Sequence, residues 1–431
     1  MKPLAVIGAS LAGMAAVQSI RASGHDGPIV VVDPAGSLPH DRPPLTKQVL
    51  AGQWPLERAA QPAAARLDEL DLDLRLGVAA TGLNADRRSV SLSDGSELEA
   101  SALVLATGSH ARTLPTGSGH GGPGGGDGSA ALPSGAFTLR TGADCVALLE
   151  RLEAEPARVV VIGAGFIGGE VAATCAGRGL AVSMLEAAPV PLQRVLPGGV
   201  GGFVTELHRR NGVDVRLGVS IEALNLNGDG SVRGVALGDG SNLEAEVVVI
   251  GVGAAPTVDW LADSGLTLLE PHRGGGILCD ETLLAHPGVV AAGDVAAWPN
   301  PHFGGELMRV EHWENAVDAG THAGRRALAE LGGRDASGGG DAAEATVGAF
   351  SSVPWFWSDQ FDSKIQMVGR CGPEDEPVVV AGDLTGDRFV VLFRRGDLCT
   401  AALGLNRPRQ VMQARMRMAE SLDWDGVAAL F

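Results

Sequence analysis

Short apolar runs closed by glycine recur along the chain in one arrangement. The stretch Leu4-Ala-Val-Ile-Gly-Ala-Ser-Leu-Ala-Gly13 predicts a buried parallel strand, a tight turn and a helix start, and a second apolar run, Ile29 to Val32, ends in Asp33. The same order returns at Val159-Val-Val-Ile-Gly-Ala-Gly-Phe-Ile-Gly168. A helix continues there through Glu170-Val-Ala-Ala, and the next strand, Ala181-Val-Ser-Met-Leu, ends in Glu186. Leu103-Val-Leu-Ala-Thr-Gly-Ser reads as a strand ending in a Thr107-Gly108 turn; its counterpart is Val247 to Pro256, which contains Gly253. From about Val347 the pattern alternates, predicting strands at Val378–Ala381 and Phe389–Phe393 and a helix near Met412–Leu422. The expected fold class is α/β, with two Rossmann-like dinucleotide-binding domains and a C-terminal α+β domain.

Composition narrows the class of function. The 431 residues suffice for two or three domains of roughly 150 residues each. A net charge of −18 argues against nucleic acid, whose phosphates such a surface repels, and against an acidic protein partner unless the 33 basic residues are segregated. No apolar run approaches the roughly 18 residues of a membrane span, so no membrane role is expected and the protein is read as soluble and cytoplasmic. Two glycine-rich tracts, Pro115 to Gly135 and Arg334 to Ala345, read as flexible linkers. Cys145, Cys175, Cys279, Cys371 and Cys399 form no C-x-x-C pair, which argues against a disulfide framework or a cysteine zinc site and predicts reduced, mostly buried thiols. No metal site is expected.

The two glycine patterns carry specific chemistry. Gly8 permits the sharp turn, Ser10 stands where a second glycine is usual, and Gly13 lets the helix pack closely on the strand. Asp33 is placed to accept hydrogen bonds from a ribose hydroxyl while a pyrophosphate rests on the helix N-terminus. Taken alone, this first match also fits an incidental strand–turn–helix. In the second pattern Gly163, Gly165 and Gly168 are all present, Ile167 lies among them, and Glu186 follows Gly168 at close to the roughly 20 residues expected. A glutamate there favours the free 2′-hydroxyl of NAD and repels the 2′-phosphate of NADP; Arg194 softens that preference without overturning it. Two such folds imply two dinucleotides, FAD in the first and NADH visiting the second. Asp294, after the short strand from Gly288, fits either a bond to a flavin ribityl chain or a plain helix N-cap, and in isolation the N-cap is preferred.

The ordered segments G-A-S-x-A-G, Arg42-Pro-Pro-Leu-Thr-Lys47, A-T-G, G-A-G-F-I-G-G-E, G-D-V-A, Val310-Glu-His-Trp-Glu-Asn-Ala316 and Pro354-Trp-Phe-Trp-Ser-Asp-Gln360 are similar to those of the ferredoxin reductases of bacterial Rieske oxygenase and cytochrome P450 systems. These are two-dinucleotide-domain flavoproteins of the glutathione-reductase type. The resemblance implies an FAD domain at 1–113 and 255–334, an NAD domain at 137–254 and a C-terminal domain at 346–431. It implies FAD contacts at Ala12, Lys47, Ala80, Arg140, Asp294 and Trp313, with Arg42 opening the segment that Lys47 closes. Lys47 is one of only three lysines, and Glu170 stands where the family puts a carboxylate facing that lysine near flavin N5. The pair is therefore expected to be catalytic; the alternative for Lys47 is a solvated loop lysine.

Disulfide-reducing relatives need a dithiol beside the flavin, and the first cysteine here, Cys145, lies beyond that domain. Electrons are expected to leave the flavin directly and singly, to a protein acceptor or a small molecule, and the resemblance implies that the acceptor is a [2Fe-2S] ferredoxin. Trp355 and Trp357 fit either an electron path or buried aromatic core. Arg309, Arg407, Arg409 and Arg415 are the expected docking cations, with Arg415 to Arg417 equally readable as a solvated helix face. The competing functions are a rubredoxin reductase or NADH oxidase, and an apoptosis-inducing-factor-like redox sensor. A monomer or weak homodimer is expected. The chain has no tyrosine, so Trp355, Phe361 and His40 supply no hydroxyl where relatives have Tyr.

Overall fold

A computed structural model describes residues 2–114, 132–332 and 347–431; most of the 115–135 tract and all of 334–345, read above as linkers, lie outside them. Backbone contacts divide the chain into two units, Met1–Asp41 with Ala60–His110 and Ala255–Pro354, and Arg42–Ala59 with Ala111–Ala254 and Trp355–Phe431.

The first unit is built on a six-stranded sheet in the order Leu284–His286, Val289–Ala291, Ala102–Leu105, Leu4–Ile7, Ile29–Asp33, Leu72–Leu76. All neighbours pair in parallel except Leu284–His286, and Leu4–Ile7 is fully covered because both its edges are paired and both faces packed. This is why it reads as a continuous apolar run rather than an alternating one. Helix Leu11–Ala22 packs against helix Trp313–Gly332 at backbone range. A Cβ on Gly320 would lie 2.2 Å from the Ala12 carbonyl oxygen and one on Gly324 2.5 Å from that of Ala16, so only glycine fits at either position.

The second unit holds a five-stranded parallel sheet ordered Asp214–Leu217, Val182–Glu186, Val159–Ile162, Val247–Ile250, Ala136–Phe137, with helices Gly142–Glu153 and Phe166–Gly177. The first helix starts on a capping box in which Thr141 and Asp144 each bond the other's backbone N–H. The same unit holds a five-stranded antiparallel sheet, Trp355–Gln360, Ser363–Gly369, Leu398–Leu405, Phe389–Arg395, Glu376–Gly382, covered by helix Pro408–Glu420. The expected helix near Met412 starts four residues earlier because Pro408 sits in its first turn, where its missing N–H costs nothing. The hairpin joining the first two strands turns on Phe361, which holds a left-handed φ of 56°. The architecture is the α/β class with two dinucleotide-type sheets and a C-terminal α+β part.

Candidate active site

The two glycine loops repeat the same close backbone contacts. A Cβ on Gly8 would stand 2.3 Å from the Ala106 oxygen, and one on Gly163 the same 2.3 Å from the Gly251 oxygen; both residues hold positive φ, at 109° and 101°. Gly13 lies over the Gly8 carbonyl and Gly168 over the Gly163 carbonyl, so that an added Cβ would meet oxygen at 1.8 and 2.0 Å. Gly165, by contrast, has nothing within 4 Å of a Cβ position. Its glycine is not demanded by protein packing, which leaves room above the helix N-terminus. The first-turn N–H groups of both helices lack intrahelical acceptors by geometry, and neither Ser10 nor Gly165 caps its helix with a side chain. Open space beside unclaimed donors fits a pyrophosphate.

The acidic residue closing each second strand clasps its glycine loop. Asp33 accepts the Ala9 and Ala35 amides at 2.7 and 2.9 Å; Glu186 accepts those of Ala164 and Ala188 at 2.8 and 2.9 Å. Each oxygen keeps a further lone pair for a ribose hydroxyl.

In the first unit Gly293 and Asp294 lie against the start of helix Leu11–Ala22, with a Gly293 Cβ only 2.8 Å from that of Ala12. Asp294 is not the helix N-cap that it resembles in isolation. It lies within a short 3-10 turn, Gly293–Val295, that leads into strand Ala296–Asn300, and its buried carboxylate accepts the Ser109 hydroxyl at 2.7 Å. Thr107 and Gly108 follow the residue that Gly8 abuts, and the Thr107 hydroxyl donates to the Thr257 carbonyl at 2.9 Å. Trp313 opens its helix and donates its indole N–H to Asp41 at 2.7 Å, while Ala80 starts strand Ala80–Asn84, two residues beyond Val78, whose amide reaches the Asp33 carbonyl. Gly8, Ala12, Gly13, Asp33 and Asp294 thus converge.

In the second unit the expected pair is formed. Lys47 Nζ lies 2.8 Å from Glu170 Oε2, with side chains 13% and 5% exposed, so Lys47 is not a solvated loop lysine. Thr46 and Ser358 donate hydroxyls to the two Glu170 oxygens at 2.5 and 2.7 Å, and Lys47 also reaches the Pro43 carbonyl at 3.2 Å. Arg42 begins this loop, its carbonyl accepting the Leu45 amide. Arg140 precedes the capping box, its amide bonded to Asp144. Ile167, in the first turn of helix Phe166–Gly177, is 48% exposed; Gly253 holds φ 105°, two residues past Gly251, and Arg194 is exposed.

Sequence reasoning missed Thr46, Ser358, Gln360 and His208. Ser358 and Gln360 share one face of a strand with Phe356 and are wholly buried, but in sequence they sit in a run of three polar residues, Ser358 to Gln360, that does not mark which face is buried. Trp355 and Trp357, on the opposite face, stack with ring centroids 5.1 Å apart, half-buried, and the Arg415 guanidinium lies 5.6 Å over Trp355. Of the arginines read as docking cations, Arg309 spends its guanidinium on the Gly274 and Asp294 carbonyls and on Glu311 within the first unit, leaving its side chain 14% exposed. Arg407, Arg409 and Arg415 lie in the second unit, on or just before helix Pro408–Glu420, with Arg409 exposed.

All five cysteines are free and buried, as expected. Burial pushes the Cys145 thiol up to about 11 and those of Cys175, Cys279, Cys371 and Cys399 to about 12, so none supplies a thiolate near neutrality.

Residues 2–320 match the family described as pyridine nucleotide-disulphide oxidoreductase and residues 355–429 match the reductase C-terminal domain, and the chain belongs to this oxidoreductase family, whose cofactors are FAD and NADH. It is 34% identical over 420 residues to rhodocoxin reductase of Rhodococcus erythropolis, covering 97% of this chain and 90% of that one. It is 32% identical over 419 residues to putidaredoxin reductase of Pseudomonas putida, covering 97% and 92%. The reductase in the crystal structure of the covalent putidaredoxin reductase–putidaredoxin complex superposes with a TM-score of 0.84 at 32% identity, covering 97% of this chain and 93% of that one. No helix among the described residues is long and apolar enough to cross a membrane.

Proposed function

We propose that this chain is an FAD-dependent NADH:ferredoxin reductase, which takes a hydride from NADH and delivers electrons one at a time to a [2Fe-2S] ferredoxin serving an oxygenase or P450. The observation that carries this reading is the coexistence of two dinucleotide-type glycine loops with five thiols too buried and too basic to relay electrons. Bound flavin accepts a hydride as an electron pair and releases electrons singly. The chain's own residues bind and orient. In this reading Gly8, Ser10, Ala12, Gly13 and Asp33 hold the FAD pyrophosphate and ribose, with Arg42, Ala80, Thr107, Gly108, Arg140, Asp294 and Trp313 as further contacts. Gly163, Gly165, Ile167, Gly168, Glu186, Arg194 and Gly253 take NADH. Lys47, fixed by Glu170, presents an ammonium that orients the nicotinamide for transfer. The domain assignment that goes with it is FAD at 1–113 and 255–334, NAD at 137–254, and a docking domain at 346–431.

Arg407, Arg409 and Arg415 are the cations assigned to an acidic ferredoxin, and Arg309 a structural role, because its Nε and Nη1 already serve Gly274, Asp294 and Glu311. A local basic face governs encounter at contact range even when the whole chain carries −18. The enzyme is read as cytoplasmic, a monomer or weak homodimer. The test is ferredoxin reduction across a salt series. The apparent KM for an acidic [2Fe-2S] ferredoxin should rise with salt, and Arg409→Glu should raise it about tenfold without changing NADH oxidation by a small-molecule acceptor. A salt-independent KM that ignores Arg409→Glu would contradict the docking face.

A further inference from the structure

Behind the Lys47–Glu170 pair runs a buried chain of hydrogen bonds. His208, on helix Gly202–Arg210, lies 2.9 Å through Nε2 from Gln360 Oε1. Gln360 Nε2 lies 3.1 Å from Ser358 Oγ, which lies 2.7 Å from Glu170 Oε1. His208, Gln360 and Ser358 are wholly buried and Glu170 is 4% exposed.

The chemistry of the last group sets the direction of every bond before it. The Glu170 carboxylate, already facing the Lys47 ammonium, accepts only, so Ser358 must give it its single proton. Ser358 can then only accept from Gln360, which must turn its NH2 inward and its carbonyl toward His208. That carbonyl accepts, so His208 carries its proton on Nε2. Nδ1, left bare, has no hydrogen-bond partner among the described residues, and burial holds the imidazole pKa below its usual value, in the neutral form this pattern needs. The other face of the Gln360 amide rests on Gly169, immediately before Glu170. A Cβ there would meet the amide atoms at 2.8 to 2.9 Å, so the absent side chain makes the amide's seat.

We propose that His208 and Gln360 are positioning residues for the Lys47–Glu170 pair. The tautomer of His208 selects one orientation of the Gln360 amide, and that orientation delivers the Ser358 proton to Glu170 Oε1, leaving Oε2 aligned on Lys47. With the amide reversed, the Gln360 carbonyl competes for the Ser358 proton and Glu170 loses one of its two hydroxyl donors. The proposal rests on the reading of Lys47 and Glu170 as the hydride-orienting pair. It adds a wholly buried control element that the fold draws from a helix and a strand about 150 residues apart in sequence.

Two amides at position 208 separate donor placement from mere packing. In His208→Gln the amide nitrogen reaches where Nε2 lies; in His208→Asn it reaches where Nδ1 lies. With the FAD-loaded enzyme, two readouts are compared at matched thermal midpoints: the side-chain NH2 resonances of Gln360 in amide-labelled protein, assigned with Gln360→Leu, and the rate of flavin reduction by NADH. The expected result is a wild-type Gln360 signature and rate in His208→Gln. In His208→Asn the signature should shift or exchange, with hydride transfer about tenfold slower and NADH affinity unchanged. Gly169→Ala, which crowds the amide from the opposite side, should reproduce the Asn phenotype. Identical behaviour of the Gln and Asn variants in both readouts would overturn the proposal. If Lys47→Met leaves hydride transfer intact, the role of the pair fails, and the Gln360 resonances still decide whether the relay is built as described.

Discussion

Glu186 Oε2 accepts the backbone N–H of Ala164 at 2.8 Å, the same relation that Asp33 bears to Ala9 at 2.7 Å. In each loop the acid at the end of the second strand holds the residue after the first glycine. The group proposed to discriminate between ribose forms therefore also holds the turn proposed to carry the pyrophosphate.

Replacing Glu186 tests this double duty. Glu186→Gln keeps an acceptor for Ala164 but removes the charge that repels a 2′-phosphate. The ratio of kcat/KM for NADH over NADPH should fall about tenfold or more, mainly through a gain for NADPH. Steady-state kinetics with both nucleotides measures it, and an unchanged ratio would remove Glu186 from the specificity account.

The glycines of the second loop should part into two kinds. Gly168→Ala places a methyl 2.0 Å from the Gly163 oxygen and should destabilise the protein by about 3 kcal/mol through overpacking against rigid backbone. Gly165 has φ −74° and open space around its Cβ position, so Gly165→Ala should leave the thermal midpoint unchanged while raising the KM for NADH about tenfold or more. Thermal melts alongside NADH titration separate the two.

Lys47 and Glu170 should be coupled in stability as well as in rate. Lys47→Met leaves a nearly buried carboxylate held by two hydroxyls alone, and should lower unfolding free energy by about 3 kcal/mol. Lys47→Met combined with Glu170→Gln should lower it less than the two single changes summed, because no unpaired charge remains. Urea unfolding of the four proteins gives the cycle; strict additivity would show that the pair contributes no interaction.

The thiols set an alkaline limit. Each has a folded pKa of about 11 or 12, above the usual thiol value near 9, so the folded state holds protons that the unfolded chain releases. Their contribution is complete below pH 9 or so and is lost as pH rises toward 11 and 12. Unfolding midpoints should fall between about pH 9 and pH 11, while alkylating reagents at pH 7 should leave both folded cysteines and NADH oxidation untouched.

The parts of this protein that were legible in sequence are those whose physics is local. Leu4–Ile7 and Val159–Ile162 read as buried strands because parallel strands covered on both faces need unbroken apolar runs, and Gly8 and Gly163 mark the turns because their φ is positive. Asp294 was ambiguous because its partner, Ser109, lies 185 residues away and no local pattern announces that bond. The bonds that Arg309 makes to the Gly274 and Asp294 carbonyls were silent for the same reason: those acceptors are set by tertiary folding. His208 was silent because it shares the apolar helix face of Phe203, Val204 and Leu207, where a histidine looks like core. The Lys47–Glu170 pair, 123 residues apart, was reached through family resemblance, and the hydroxyls of Thr46 and Ser358 that complete it emerged only when the loop, helix and strand were brought together.

In the proposed reaction electrons enter from NADH as a pair and leave singly to a ferredoxin, with no thiol between. Double-mixing stopped flow tests it most directly: the FAD-loaded enzyme is reduced with one equivalent of NADH, then mixed with an oxidised [2Fe-2S] ferredoxin while flavin and iron–sulfur absorbance are followed together. Rapid flavin bleaching by NADH is expected, then flavin recovery matched by reduction of two ferredoxins per flavin, unchanged after thiol alkylation. Reduced flavin that persists in the presence of ferredoxin, or recovers only with oxygen or a disulfide, would contradict it.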